Sequence, residues 1–457
     1  MMNSFRLSEL KGALNAEVVG HDVEFERVNT DTRLIEVGDL FVALKGDRFD
    51  AHDFAKKAVE LGAVAVVVER PLDLDVSQLV VKDTRAALGL IAEYNRTYFN
   101  GVLFAVTGSS GKTTVKEMLA EIMRGSGRVL ATKGNLNNDI GVPLTLLNIS
   151  PEHDFAVIEM GASGPGEICY SVNLAHPDIA LVNNAMDAHL EGFGSLQGVV
   201  KAKGEIYDGL SAIGTAVVNC DDPNSPQWIK RAEGKRIVTF GVENPSVDVS
   251  ATNLHQQESG CYGFTLTYQG NQADVKLNVL GRHNVSNALA ASALAISAGV
   301  ELPQIQEKLE SCLAVKGRMY VIDGPKAVKI IDDSYNANPG SVKAAIQLLG
   351  ELQAEKVFVL GDMGELGPNE EEIHYEIGRF AAKTGIERFL GVGRLSEFAV
   401  KGFREEGGES AQHYHSQGEL IAELRSYMQS GMAVLVKGSR SAGMEKVVSG
   451  LIEEESK

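Results

Sequence analysis

The stretch VTGSSGKTTVKEML, Val106 to Leu119, carries the residue types that grip a phosphate. GVLFAV before it reads as a buried strand. After it, Val115, Met118, Leu119, Ile122 and Met123 recur at helical spacing. A strand, a glycine-bearing turn and a helix therefore come in order. That order points backbone N–H groups of the turn and of the helix start at one anion, while Lys112 adds charge to phosphate oxygens and Thr113 offers a hydroxyl to Mg²⁺. The longer common pattern has a glycine where Val106 stands, so GSSGKTT is a shortened form. An ordinary Gly/Ser turn is the plainer reading, and Gly-Lys-Thr-Thr in this setting outweighs it.

Parallel α/β sheets bind ligands at the carboxyl ends of their strands, so residues at and just beyond the end of each predicted strand are the candidates for chemistry. Glu159 ends AVIE, where a carboxylate reaches a cation bridging β- and γ-phosphates. His189 lies in the glycine-rich NNAMDAHLEGFGS, after another strand, and is a candidate metal or phosphate ligand. KAKGEIY brings Lys201 and Lys203 beside Glu205, a pattern that a solvated helix face explains equally well. Such a set suits phosphoryl transfer, which is mostly positioning plus charge neutralisation. A water nucleophile makes an ATPase and a carboxylate nucleophile makes an acyl phosphate; these residue types leave both open.

The elements that must position these groups are set by the chain's rhythm. With 457 residues, more than one core is expected. Strands alternate with helices through AVIEMGA, IALVNNA, TAVVNCDD and RIVTFG, which implies a mostly parallel, helix-covered sheet. Residues 247–280 alternate with period two around QGN and read as a hairpin. VKIIDD, KVFVLGD, RFLGVG and MAVLVKG then resume the α/β rhythm without a G-x-G-x-x-G loop. The fold class is α/β with three domains: a small N-terminal α/β domain (1–100), a central P-loop ATPase-type domain with a mostly parallel sheet (101–315), and a C-terminal Rossmann-like domain (316–457).

A net charge of −18 and no basic cluster argue against nucleic acid as a partner. Four scattered cysteines form neither a metal-ligand pair nor a disulfide framework. The longest clean apolar run, Leu61 to Val68, is too short to span a bilayer, and the N-terminus lacks an apolar signal core. A cytoplasmic protein with no membrane insertion is expected, and no interface stripe suggests more than a monomer.

Taken in order, TGSSGKTT, GNLNNDIGVPLTLL, EMGASGPGEI, NNAMDAHLEGFGS, KAKGEIY, GRHNVSNALAA, KGRM and DDSYNANPGS resemble the Mur ligase family of amide-bond-forming enzymes over essentially the whole chain. DDSYNANPGS and NNAMDAHLEGFGS favour its dipeptide-adding branch. The resemblance implies ATP and Mg²⁺ as cofactors, and UDP-N-acetylmuramoyl-tripeptide and D-alanyl-D-alanine as substrates. It implies a phosphate loop of Gly108, Ser109, Ser110, Gly111, Lys112, Thr113 and Thr114, with Thr113, Glu159 and His189 near the metal. Lys203 falls where related ligases carry a carbamoylated, metal-binding lysine. Asn284 and Asn287 are implied on the adenine side, Arg318 at the phosphates as the domains close, Asp333 at the ribose, and Asn336 and Asn338 near the closing site. Lys437 and Arg440 are weaker candidates for the far wall. Thr32, Arg33, Lys45 and His52 are implied to meet the UDP-sugar, and Asn135, Asn137, Asn138 and Asp139 the sugar-peptide. The rival readings are another Mur ligase, a folylpolyglutamate synthase, and a nucleotide-driven switch that hydrolyses ATP to change shape.

Overall fold

The structure is a computed structural model that describes residues 2–46 and 49–453. Its three main sheets succeed one another along the chain. The first has five strands in the spatial order Glu17–Val19, Ser77–Val80, Ala65–Val68, Asp39–Val42, Arg27–Asn29, all parallel except the first pair.

The central sheet has nine strands. Six are parallel: Val129–Ala131, Phe155–Glu159, Val102–Thr107, Ile179–Val182, Thr215–Asn219 and Arg236–Gly241, and Val249–Gln256 joins them in the same sense. The phosphate-loop strand Val102–Thr107 sits between Phe155–Glu159 and Ile179–Val182, so Thr107, Glu159 and Val182 end at one edge. That shared edge gathers the site. The expected hairpin is a three-stranded meander: Val249–Gln256 pairs antiparallel with Cys261–Tyr268, which pairs with Asn271–Leu280. Its first strand was hidden because its outer half is polar and exposed, without a strand-like apolar alternation.

Helix Lys112–Arg124 buries Val115, Met118, Leu119, Ile122 and Met123, the stripe its sequence spacing marks. Against it lies His283–Ser297, an alanine-rich helix buried nearly all round, as expected of a helix without a polar face. The opposite face of the sheet shares one continuous core with the N-terminal domain, in which Leu7, Leu10, Leu88 and Ile91 pack with Leu146, Ile149 and Ile168. Polar contacts seal that junction: Asn95 donates to the carbonyls of Leu146 and Ile149, both at 3.0 Å, and Arg96 to that of Ala175 at 2.7 Å.

The C-terminal sheet runs Tyr320–Asp323, Lys329–Asp333, Met432–Lys437, Glu355–Gly361, Arg388–Val392, Ser410–Tyr414. Only Tyr320–Asp323 is antiparallel. The four inner strands are those the apolar runs announce. Both edge strands, YVID and SAQHY, escaped because each is largely exposed or half-exposed and lacks a run of buried residues. Helices Glu370–Lys383 and Ser396–Glu405 cross closely at two glycines: a methyl on Gly378 would collide with the Ala399 carbonyl, and one on Gly402 with the Tyr375 carbonyl. Backbone atoms leave little room to yield, so Gly378→Ala is expected to cost about 1–3 kcal/mol. A thermal melt should show a lower midpoint, and an unchanged midpoint contradicts the close approach.

Among the described residues all four cysteines are free, and no helix is long and apolar enough to cross a membrane.

Candidate active site

The phosphate loop turns out of its strand at Gly108 and enters the helix at Gly111, whose φ of 76° is the left-handed region that suits glycine. The helix starts at Lys112, so its free N–H groups face the loop's concavity. Val106, where the longer pattern has glycine, is a fully buried strand residue. Asn183 and Asn184 clamp the loop. The Asn184 side-chain oxygen accepts from Ser110 N–H at 2.9 Å, its backbone oxygen accepts from Ser109 N–H at 3.0 Å, and the Asn183 amide donates to the Ser110 carbonyl at 3.1 Å. Neither asparagine was singled out from sequence. The run VNN after a predicted strand was the available signal, since amides there pair naturally with an irregular backbone.

A cleft of about 1000 Å³ opens from this loop and is walled by the central and C-terminal domains. Ser109, Ser110, Gly111, Lys112, Thr114, Asn135, Asn137, Asn138, Glu159, His189, Asn284, Asn287, Arg318, Asp333, Asn336 and Asn338 line it. Residues from well-separated parts of the sequence thus meet in one place.

Beneath the loop, Glu159 is buried, and both its oxygens are held: Thr113 Oγ1 donates to one at 2.8 Å and Asn137 Nδ2 to the other at 2.7 Å. Lys112 donates to the Gly108 carbonyl at 2.8 Å. Burial lowers its pKa, the nearby Glu159 charge opposes that shift, and Arg318 adds to it.

Lys203 occupies the last turn of helix Leu196–Gly204 and is almost completely buried, whereas Lys201 is exposed. The solvated-face reading therefore holds for Lys201 alone. Among the described residues Lys203 has no hydrogen-bond or ion-pair partner, and its ammonium lies over the Phe193 ring, 5.9 Å from the centroid. Burial, with Lys112 nearby, holds its pKa well below the usual lysine value. His189 projects from a left-handed residue and pairs through Nδ1 with Glu365 of the C-terminal domain. Burial lowers its pKa.

No cluster of three or more His, Cys, Asp or Glu side chains able to hold a metal occurs among the described residues. Mg²⁺ dehydrates reluctantly and is commonly held by one or two carboxylates plus substrate phosphates and water. The hard oxygens of Thr113 and Glu159, beside a phosphate loop, fit a cation that arrives with a nucleotide.

On the facing wall, Arg318 stacks on Tyr335, 4.3 Å from guanidinium carbon to ring centroid. Asp333 pairs with Lys437 and accepts from Met319 N–H at 3.3 Å. Lys437 also donates to the Asn336 carbonyl at 3.0 Å, while the Asn336 side chain accepts from Arg440 N–H at 3.3 Å. Asn338 caps helix Pro339–Glu351 through Ser341 and reaches the Ser109 carbonyl at 3.5 Å, joining this wall to the phosphate loop.

Other expected ligands have structural employment. Asn287 donates to Asn284 at 2.8 Å and accepts from Asn183 at 3.1 Å, and Asn284 donates to the Leu280 carbonyl at 2.7 Å. As placed, the pair fastens the loop to its neighbouring helix. The Asn138 side chain accepts from Gly141 N–H, at the start of helix Gly141–Leu146, at 2.8 Å, and Asp139 pairs with Arg85 of the N-terminal domain at 2.6 Å, away from the cleft lining. Thr32, Arg33, Lys45 and His52 all lie outside this cleft. Arg33 is exposed and forked onto Asp31, and Lys45 faces Asp50 in an isolated bridge. His52 is engaged within its own domain. Its ring is buried, with Nδ1 on Asp50 at 2.5 Å and Nε2 accepting from Glu69 N–H at 2.8 Å, which leaves no ring nitrogen for a ligand.

His374 is a buried structural histidine that steadies the cleft wall. Its Nε2 accepts from Met363 N–H at 2.9 Å and its Nδ1–H donates to the Glu370 carbonyl at 2.7 Å, which requires the neutral ring. Burial holds its pKa below the ordinary histidine value. As pH falls below about 6.5 the unfolded chain takes up this proton first, so its stabilising effect is complete above that value and is lost on acidification. Thermal midpoints of the wild type should fall more steeply than those of His374→Gln between about pH 7 and pH 5. Parallel slopes contradict this.

Three family models match successive parts of the chain: "Mur ligase family, catalytic domain" over residues 24–96, "Mur ligase middle domain" over 106–295 and "Mur ligase, glutamate ligase domain" over 317–440. The chain is 47% identical over 454 residues to the Escherichia coli (strain K12) protein named "UDP-N-acetylmuramoyl-tripeptide--D-alanyl-D-alanine ligase", covering 99% of each. A MurF crystal structure from Acinetobacter baumannii superposes with a TM-score of 0.92 at 37% identity, covering 99% of this chain and 100% of that one. A Thermotoga maritima MurF ligase in complex with ADP superposes with a TM-score of 0.84 at 29% identity, covering 93% and 96%. A full-length relative at this identity, the three domain matches in order and a phosphate loop facing a second α/β domain across one cleft agree: the chain belongs to the Mur ligase family.

Proposed function

We infer that this protein is an ATP-dependent ligase that joins D-alanyl-D-alanine to UDP-N-acetylmuramoyl-tripeptide, forming the pentapeptide precursor of peptidoglycan. The observation that carries this reading is the likeness, along the entire chain, to the Escherichia coli enzyme of that name. It acts as a monomer in the cytoplasm, where a UDP-linked precursor and ATP are both at hand.

Each part of the cleft has a task in that reaction. The loop N–H groups and Lys112 hold the β- and γ-phosphates, and Arg318 meets them from the C-terminal side. Thr113, Glu159 and His189, with Lys203 as its carbamate, would hold Mg²⁺, which withdraws charge from the phosphate oxygens when bound. The terminal carboxylate of the tripeptide attacks the γ-phosphorus, the bond to the β-phosphate oxygen breaks, and ADP is left beside an acyl phosphate. The dipeptide's amine then attacks the acyl carbon and loses a proton, and the carbon–oxygen bond to phosphate breaks. Asn336 and Asn338 border the space where that amine arrives, and the Asn338 contact with Ser109 helps shut water out. Asn135, Asn137 and Asn138 edge the tripeptide's approach; Thr32, Arg33 and Lys45 are the N-terminal candidates for the UDP-sugar.

The test is phosphate release from ATP, Mg²⁺ and UDP-N-acetylmuramoyl-tripeptide, with and without D-alanyl-D-alanine, read together with the mass of the product. Release should depend on the dipeptide and yield the pentapeptide. Equal release in both arms, without pentapeptide, means a switch ATPase instead.

A further inference from the structure

His189 is poorly held by its own domain. It stands at the start of the one-turn helix Leu190–Phe193 with φ 53°, and the edge of the Phe193 ring, 6.5 Å between centroids, bounds one side of the imidazole. Among the described residues the hydrogen-bond partner of its side chain is Glu365, which belongs to the other wall and lies 176 positions along the chain. Glu365 also has a left-handed backbone, with φ 60°. Bulky residues adopt that conformation rarely, and here two of them face each other across the cleft. The loop carrying Glu365 is anchored on both sides. Met363 N–H is held by buried His374, and Leu366 is buried.

We propose that Glu365 is a positioning residue for the ligase reaction: its carboxylate, supplied by the C-terminal domain, accepts the Nδ1–H of His189 and presents the ring's Nε2 lone pair to the cation at the phosphates. This inference rests on the reading of His189 as a metal-side residue. Nε2 has no hydrogen-bond partner among the described residues, and His189 lines the cleft. A carboxylate on the far nitrogen of a ligating histidine fixes tautomer and orientation and raises the basicity of the ligand. Because that carboxylate lies on the facing wall, the histidine is aimed only while the two domains meet as they do here.

The full-length enzyme is titrated with Mn²⁺ in the presence of a non-hydrolysable ATP analogue, and free Mn²⁺ is followed by electron paramagnetic resonance. Glu365→Ala should weaken Mn²⁺ binding about 10- to 100-fold, with a matching fall in kcat and little change in the KM for D-alanyl-D-alanine. Glu365→Gln, whose amide oxygen still accepts the Nδ1–H, should fall between. Unchanged Mn²⁺ affinity in Glu365→Ala overturns the proposal, even if activity drops. His189→Ala separates the two levels of inference. If it too leaves Mn²⁺ binding unchanged, the metal-side reading of His189 fails along with the proposal; if it weakens binding while Glu365→Ala does not, the proposal alone fails. Nitrogen-15 NMR of the histidine-labelled wild type in the nucleotide complex needs no variant. A ring protonated at Nδ1 and carrying no proton on Nε2 supports the assignment, and a proton on Nε2 overturns it.

Discussion

Lys112→Ala should lower kcat about 10²- to 10³-fold, the loss expected on removing one preorganised charge-stabilising donor. The Lys112 ammonium sits at the phosphate loop, hydrogen-bonded to the Gly108 carbonyl, with buried Glu159 as the neighbouring carboxylate. In the ground state its charge is shared between these groups. As the γ-phosphoryl moves toward the tripeptide carboxylate, charge grows on the oxygens that Lys112 faces, so the interaction strengthens on the way to the transition state. The fold should survive. Burial already disfavours this charge, and the substitution removes one side-chain hydrogen bond, the one to the Gly108 carbonyl. Steady-state kinetics with all three substrates, together with a melting curve, check both halves. A kcat within about threefold of wild type would remove Lys112 from the phosphoryl step.

The second large effect concerns Lys203. A lysine this buried, without a partner and close to another lysine, is held toward its neutral amine form. The neutral amine has the lone pair that adds to dissolved CO₂: a nitrogen–carbon bond forms, a proton leaves to water, and the result is a carbamate. That step replaces an unpaired buried amine with an anion beside Lys112, so that two groups that repel when both are protonated become an opposite-charged pair. Activity should therefore fall in CO₂-depleted buffer and return on adding bicarbonate. Lys203→Ala should be about 10²- to 10³-fold slower and indifferent to bicarbonate. A wild-type enzyme whose rate ignores CO₂ depletion, and whose intact mass in the native state shows no added CO₂, refutes the carbamate.

The features legible in the sequence were those whose physics is local. The phosphate loop was readable because strand, turn and helix lie within about twenty residues, and Glu159 because a strand's last residue falls at the ligand edge of a parallel sheet. The three-domain α/β architecture was readable from the alternation of apolar runs with helical stripes. What stayed hidden depends on distant partners. Lys201 and Lys203 look alike in KAKGEIY, and only packing against Phe193 and the rest of the core buries one of them. His52 resembles a ligand in sequence, but Asp50 and Glu69 claim both its nitrogens. The Asn183–Asn184 clamp and Glu365 act through contacts spanning more than seventy positions, and no periodicity records those.

The two outer domains are attached in different ways, and the difference has a thermodynamic consequence. The N-terminal domain shares a core with the central one, so parting them would expose buried apolar surface. The C-terminal domain hangs from a single passage of chain near Gly317, with a small apolar patch at Cys261 and Leu280 and the Tyr262–Glu351 hydrogen bond beside it. A domain on so short a tether sees its binding face at an effective concentration on the order of millimolar, so even feeble contacts suffice to bring it home. Contacts with a bound substrate on both walls that contribute a few kcal/mol of preference would therefore be enough to decide where such a domain rests.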